Sequence, residues 1–324
     1  MIRPARNTAF LPGTLKNLCC PPEKGEYTYF KRAGECPFAR SGTIVKAAWA
    51  ADMSMLAYAR YGQSWMTDAD LDENFGRAGL SYDKIGGAPG DWNAHGTQAV
   101  FASCDQFAIL AFRGTEPGDP KDIAYDLDVT LAVERNHRQP GQDGILPCLV
   151  HRGFQAALNE VWDTVQAKVM QYRALHQGAE ILFTGHSLGG ALAVLAYSRL
   201  GDQGASLYTF GCPRVGDGTF RDRALSSQGK GSFRFVNWND AVTHIPVASL
   251  LYVQTPAQRY RFDESGNLNL EDDTILGDAE ALAAVVSTFP ANFLTLDFAK
   301  VGAQPSVVDH SPARYCMRLW DCVP

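Results

Sequence analysis

The pentapeptide Gly185-His186-Ser187-Leu188-Gly189 constrains this chain more than any other feature. It follows directly on the short apolar run Ile181, Leu182 and Phe183, and it opens a segment, about 188–200, that reads as a helix. A G-x-S-x-G match arises by chance roughly 0.1–0.2 times in a chain of this Gly and Ser content. A strand before it and a helix after it raise the specificity. Such a turn holds the serine on a sharp bend at the end of a strand, and its glycines are needed where strand and helix approach too closely for a Cβ. Gly190, Ala191 and Ala193 keep the helix slim where it meets a sheet. The helix N-terminus also sets positive dipole ends near the serine oxygen.

A strand–turn–helix needs a sheet around it, and the rest of the chain supplies one. Ala99, Val100 and Phe101, then Phe107 to Phe112, form two β-like runs around Ser103-Cys104-Asp105, a hairpin signal. A helix is predicted from about residue 153 to 176, with Phe154, Ala157, Leu158, Val161, Trp162, Val165, Val169 and Tyr172 as its apolar stripe. Strands follow over 206–210 and 232–236. Upstream, Ile44, Ala48, Ala51, Met55 and Tyr58 repeat at helical spacing toward Tyr61-Gly62. Residues 64–95 read as surface structure without a clear period. Tyr252-Val253 is expected to pair with Tyr260-Arg261-Phe262, Ser265-Gly266-Asn267 reads as a turn, and 278–287 reads as a helix ended before Pro290. Alternating strands and helices imply a mostly parallel sheet covered on both faces.

A serine nucleophile needs a base, and the base needs an orienting carboxylate. Where the nucleophile sits on such a turn, the chain order is Ser, then Asp or Glu, then His. Two histidines follow Ser187: His244 and His310. Asp240 comes just after the 232–236 strand, at the same end of the sheet as Ser187. His244 lies four residues from Asp240 in one loop, so the two would have difficulty converging on a third site. His310, in Val307-Val308-Asp309-His310-Ser311-Pro312 ahead of a terminal helix, is the favoured base with Asp240 as acid. His244 is then a loop histidine shaping the site. Asp309 is a rival acid, disfavoured because adjacent residues usually point apart. The oxyanion hole needs two backbone N–H groups: one from Leu188, the other from Thr115, after the strand end Phe112-Arg113-Gly114.

These segments together resemble the fungal-type, class 3 lipase family of α/β-hydrolases. The resemblance rests on Phe112-Arg113-Gly114-Thr115, His151-Arg152-Gly153-Phe154, the Ser187 turn with Thr184 and Gly190, Tyr208-Thr209-Phe210-Gly211-Cys212-Pro213-Arg214-Val215-Gly216-Asp217, residues 236–246, and Asp309-His310 with Tyr315. It covers roughly residues 43–320. It implies an α/β-hydrolase fold with a lid, Ser187 as nucleophile, Asp240 as acid, His310 as base, and Thr115 and Leu188 as oxyanion donors. It implies no metal or organic cofactor. The implied activity is hydrolysis of acylglycerol esters, with phospholipase A1 or a polar esterase as neighbouring readings and an inactive lipid-binding module as one of another class. The lid falls within 116–148, where Asp119, Asp122, Asp126 and Asp128 make it acidic and Ile123 stands where family members often carry Trp. A weakly apolar lid argues against strong interfacial activation. Residues 281–296 read as a core helix rather than an acyl-pocket element.

Composition excludes other classes. Apolar residues make up 46% and charged residues 20%, so the chain is not wholly disordered. A net charge of −6 without a basic run gives nucleic-acid binding little support. No uncharged apolar stretch long enough to span a bilayer occurs. Eight cysteines show no CxxC or zinc-like spacing. They read as reduced thiols, with a disulfide between the N-terminal arm and the C-terminus left open. Residues 1–20 lack the apolar run of a secretory signal, which leaves the compartment open between cytoplasm and signal-independent export. At 324 residues the length alone hints at two domains. Four residues that must converge at one sheet edge argue instead for an irregular arm, 1–42, and a single catalytic domain, 43–324.

Overall fold

The computed structural model describes residues 27–31, 42–59, 67–86, 96–114, 130–134, 148–200, 204–224, 231–246, 251–255, 257–271 and 309–323. Thr115, most of the 116–148 lid segment, the 278–287 helix and residues 281–296 lie outside them.

Among the described residues, eight strands form one sheet. They are β1 (Ser81–Gly86), β2 (Gln98–Ser103), β3 (Phe107–Phe112), β6 (Glu180–His186), β7 (Ala205–Phe210), β8 (Ser232–Asn237), β9 (Gln258–Phe262) and β10 (Leu268–Glu271), in the spatial order β1-β2-β3-β6-β7-β8-β9-β10. The run β3-β6-β7-β8-β9 is parallel, while β1, β2 and β10 add antiparallel edges. A separate antiparallel pair, β4 (Leu131–Val133) and β5 (Leu149–His151), lies within and just after the predicted lid segment.

The two-residue period of the strands divides the core. Val100, Ala102, Ile109, Ala111, Leu182, Tyr208 and Phe210 face one layer, whereas Ala99, Phe101, Ala108, Leu110, Phe112, Ile181, Phe183, Ala205 and Leu207 face the other. Helix α1 (Thr43–Leu56), α2 (Asp68–Ala78) and α6 (Pro312–Cys322) cover the first face; α3 (Arg152–Leu175) and α4 (Leu188–Leu200) cover the second. A short α5 (Gly218–Ala224) lies between β7 and β8. The parallel centre reads as continuous apolar sequence because both its faces are buried. The predicted stripe of α3 is buried except Trp162, which lies at its margin.

Three features differ from the sequence reading. Residues 64–95 hold α2 and β1. The signal for α2 is its N-cap: the Thr67 hydroxyl accepts from Asp70 N–H at 3.3 Å and the Asp70 carboxylate accepts from Thr67 N–H at 2.9 Å. Edge strand β1 shows no alternation because only Ile85 is buried in it. Second, Val253 bridges Gly216, and β9 pairs with β10 across the 263–267 turn. The predicted Tyr252–Tyr260 pairing therefore does not form, while the predicted turn does. Third, the packed body extends before residue 43, for Tyr29 and Phe30 are buried in the core. The Phe30 ring lies 4.7 Å from Trp49 and 6.1 Å from Phe75. Asp52 of α1 anchors this segment, accepting from Tyr27 Oη (2.6 Å), Phe30 N (2.6 Å) and, across the layer, Trp320 Nε1 of α6 (2.9 Å). Cys104, Cys212, Cys316 and Cys322 are thiols.

Candidate active site

Strand β6 ends at His186 and α4 begins at Leu188, so Ser187 alone makes the turn, at φ +59. That left-handed backbone is strained for a residue with a Cβ, and such strain clusters at functional sites. Its N–H donates to the Phe210 carbonyl of β7 at 3.0 Å, and its carbonyl accepts from Gly190 N–H at 2.9 Å. The close approach required of the flanking glycines is present: a Cβ on Gly185 would overlap the Gly189 carbonyl, and one on Gly189 would overlap the Phe112 carbonyl of β3.

Three residues far apart in sequence meet at the carboxyl ends of the parallel strands. The Ser187 hydroxyl lies 2.8 Å from His310 Nε2, and His310 Nδ1 lies 2.9 and 3.0 Å from the two Asp240 carboxylate oxygens. A carboxylate only accepts, so Nδ1 carries the proton and bare Nε2 accepts from the serine. Asp240 is fully buried, just past β8; it also caps the Ala241–His244 turn, its Oδ1 accepting from Val242 N–H at 3.0 Å. Tyr315 on α6 donates to Asp240 Oδ2 at 2.7 Å and accepts from Asn237 N–H at 2.9 Å. Three donors, the His310 ring, Val242 N–H and the Tyr315 hydroxyl, thus converge on this one carboxylate.

The loop bearing His310 is held from below by the residue before the serine. His186 Nε2 donates to the His310 carbonyl at 2.6 Å, so Nδ1 is the acceptor for the Tyr58 hydroxyl at 2.9 Å. Burial, with the facing His310 ring, pushes His186 well below the usual histidine range and keeps it neutral. Gly211, at φ +59 after β7, leaves the space in which Asp240 and His310 meet: a Cβ there would sit 2.7 Å from Asp240 Oδ2 and 2.9 Å from His310 Nδ1.

Of the residues expected from sequence, Ser187, Asp240 and His310 are brought together, and Leu188 heads α4, where first-turn N–H groups have no intrahelical acceptor. Thr115 lies outside the described residues; Gly114 before it is buried against Tyr58. His244 is half-buried, and its carbonyl accepts from Arg214, so its place in the site loop is structural. Asp309 turns away from the serine toward Arg314, 2.6 Å away. Sequence reasoning missed Tyr58, the orienting contacts of His186 and Tyr315, and Gly211. Periodicity reads Tyr58 only as an apolar position on a helix and does not report where its hydroxyl points.

The arrangement can remove a proton from a serine hydroxyl and stabilise the imidazolium that forms. Comparisons with known proteins show what the chain is similar to. Residues 109–250 match the family described as Lipase (class 3). The secreted mono- and diacylglycerol lipase A of Penicillium cyclopium is 36% identical over 149 residues, 45% of each chain. A lipase of Rhizomucor miehei is 35% identical over 123 residues, 36% of this chain and 34% of that one. The chain thus spans less than half the length of these relatives in the matched region. Among solved structures, a triacylglycerol lipase with a serine protease triad at its catalytic centre superposes with a TM-score of 0.54 at 25% identity, covering 72% of this chain and 87% of the other. Lipase II from Rhizopus niveus shares the fold with a TM-score of 0.54 at 24% identity, covering 69% and 83%. Over residues 109–250 the chain is thus similar to the class 3 lipase family, and it shares the α/β-hydrolase fold of the solved fungal lipases.

Proposed function

We propose that the chain is a serine carboxylic ester hydrolase acting on acylglycerols, with Ser187 as nucleophile, His310 as base and Asp240 as the orienting acid. The observation that carries this reading is His310 bridging Ser187 Oγ at 2.8 Å and Asp240 at 2.9 Å. Nε2 takes the hydroxyl proton as Oγ attacks the ester carbonyl, and Asp240 stabilises the imidazolium. The oxyanion develops toward the Leu188 N–H and, in this reading, the Thr115 N–H. Collapse expels the alcohol with the proton held on Nε2. Water then attacks the acyl-serine, His310 takes its proton, and Oγ leaves with that proton as the fatty acid is freed. His310 carries every proton in the cycle, so the scheme needs no metal or organic cofactor.

Two further features bear on substrate and setting. The acylglycerol assignment leans on relatives named for mono- and diacylglycerols. Among the described residues no helix is long and apolar enough to cross a membrane, and the relatives named as secreted support export as part of the proposal.

Ser187→Ala should abolish both turnover of monoacyl-, diacyl- and triacylglycerols and labelling by a fluorophosphonate while leaving the thermal transition in place. Full turnover by that variant would refute the nucleophile. A panel in which phospholipids or feruloyl esters outrun every acylglycerol would overturn the substrate class.

A further inference from the structure

His310 sits on a loop, and its ring must hold two hydrogen bonds at once, which places a strict demand on that loop's backbone. Asp309, the residue before it, is 3% exposed and reaches three separate partners. Its Oδ1 accepts from Arg314 Nη1 at 2.6 Å, its Oδ2 from Asn239 N–H at 3.3 Å, and its carbonyl from Asn237 Nδ2 at 3.0 Å. Asn237 ends β8, and Asn239 belongs to the loop after it that carries Asp240. Arg314 stands in the first turn of α6, and Arg318, one turn later, reaches Asn237 Oδ1 (3.4 Å) and the carbonyls of Asp263 (3.2 Å) and Glu264 (3.4 Å).

We propose that Asp309 is a positioning residue: with Arg314 it buckles the loop carrying the base to the loop carrying the acid, so that His310 stays in line between Asp240 and Ser187. This rests on the ester-hydrolase reading of the site. A buried ion pair contributes little net stability, because the loss of hydration offsets most of the attraction. What it does supply here is geometry. Asp309 also lies beside a second buried carboxylate, that of Asp240, and burial pushes the Asp309 carboxyl up while Arg314 and Arg318 favour its charged form. The arginines turn this anion away from His310, which leaves Asp240 as the carboxylate that directs the ring. The acid adjacent to His310 in sequence is therefore not its partner.

The test measures p-nitrophenyl butyrate hydrolysis by the full chain. Asp309→Ala should lower kcat about 10–100-fold, the range for a base displaced on the order of 1 Å, while KM stays within about twofold. In a His310→Ala background, the residual rate should not fall further when Asp309→Ala is added, because a residue that acts through His310 has nothing left to act on. An equal loss in both backgrounds would overturn the proposal in favour of a general structural role, and so would an unchanged kcat in Asp309→Ala. If the alanine variant does not fold, Arg314→Gln carries the same test: it should lower kcat in the native background and leave the His310→Ala residual rate unchanged. Should Ser187→Ala and His310→Ala themselves retain full activity, the ester-hydrolase reading fails. If those two are inactive while Asp309→Ala is unaffected, the positioning role alone fails.

Discussion

Asp52 is the residue whose substitution tests the packing argument most sharply. Its carboxylate is fully buried under α1, and burial lifts it from the ordinary 3.8 to about 6, although Tyr27, Phe30 and Trp320 donate to it and Lys31 favours its charge. Tyr27, Tyr29 and Cys316 also face it; burial pushes all three well above their ordinary values, so they stay neutral at acid and neutral pH. Because the folded protein holds this proton more tightly than the unfolded chain, the stability Asp52 confers is complete below about pH 3.8 and is lost as pH rises through about 6. At about 1.4 kcal/mol for each tenfold change in acidity, the full loss is about 3 kcal/mol. Most of that falls between about pH 4 and pH 7. Asp52→Asn is isosteric and does not titrate. Its Oδ1 can accept from both Phe30 N–H and Trp320 Nε1, and its Nδ2 can donate to the Tyr27 oxygen, leaving one hydroxyl proton to turn to water at a cost of about 1 kcal/mol. Urea unfolding of both proteins at several pH values gives a difference in which every other titrating group cancels. That difference should move in favour of the Asn protein by about 2 kcal/mol from pH 4 to pH 7. A difference that stays constant across the range would refute the reasoning.

Three other outcomes are expected. Arg199→Met removes from Glu134 its ion-pair partner at 2.8 Å, both side chains being 1% exposed, and should cost about 3–5 kcal/mol in urea unfolding; adding Glu134→Leu should recover most of it. Tyr315→Phe removes the donor to Asp240 and the acceptor for Asn237 N–H, with an expected loss of about 1.5–3 kcal/mol in stability and a kcat about tenfold lower; unchanged steady-state kinetics would count against a role in orienting the acid. Gly211→Ala sets a methyl between Asp240 and His310 at φ +59, which costs about 1–2 kcal/mol in backbone alone. Its kcat should fall by more than its thermal transition suggests, because the methyl separates the acid from the base.

The candidate site was legible in the sequence where chemistry and local geometry coincide. A serine turn needs small residues two positions either side, so Gly185 and Gly189 are printed next to Ser187, and a nucleophile of this kind narrows its base to the histidines that follow. The central strands were equally legible, since burial on both faces leaves unbroken apolar runs such as Phe107 to Phe112. Strand β1 left no such trace because one residue in it is buried, and α2 was hidden in a charged stretch whose capping threonine was the signal to read. Tertiary structure alone decided the rest. It turned Asp309 toward Arg314, tied Tyr58 to His186 across 128 residues, and drew Phe30 and Tyr27 onto Asp52 from an arm without period. Periodicity records which face of an element is buried against the core. A hydrogen bond between residues a hundred positions apart imposes no repeat on either segment, so it becomes visible only when the sheet brings the two together.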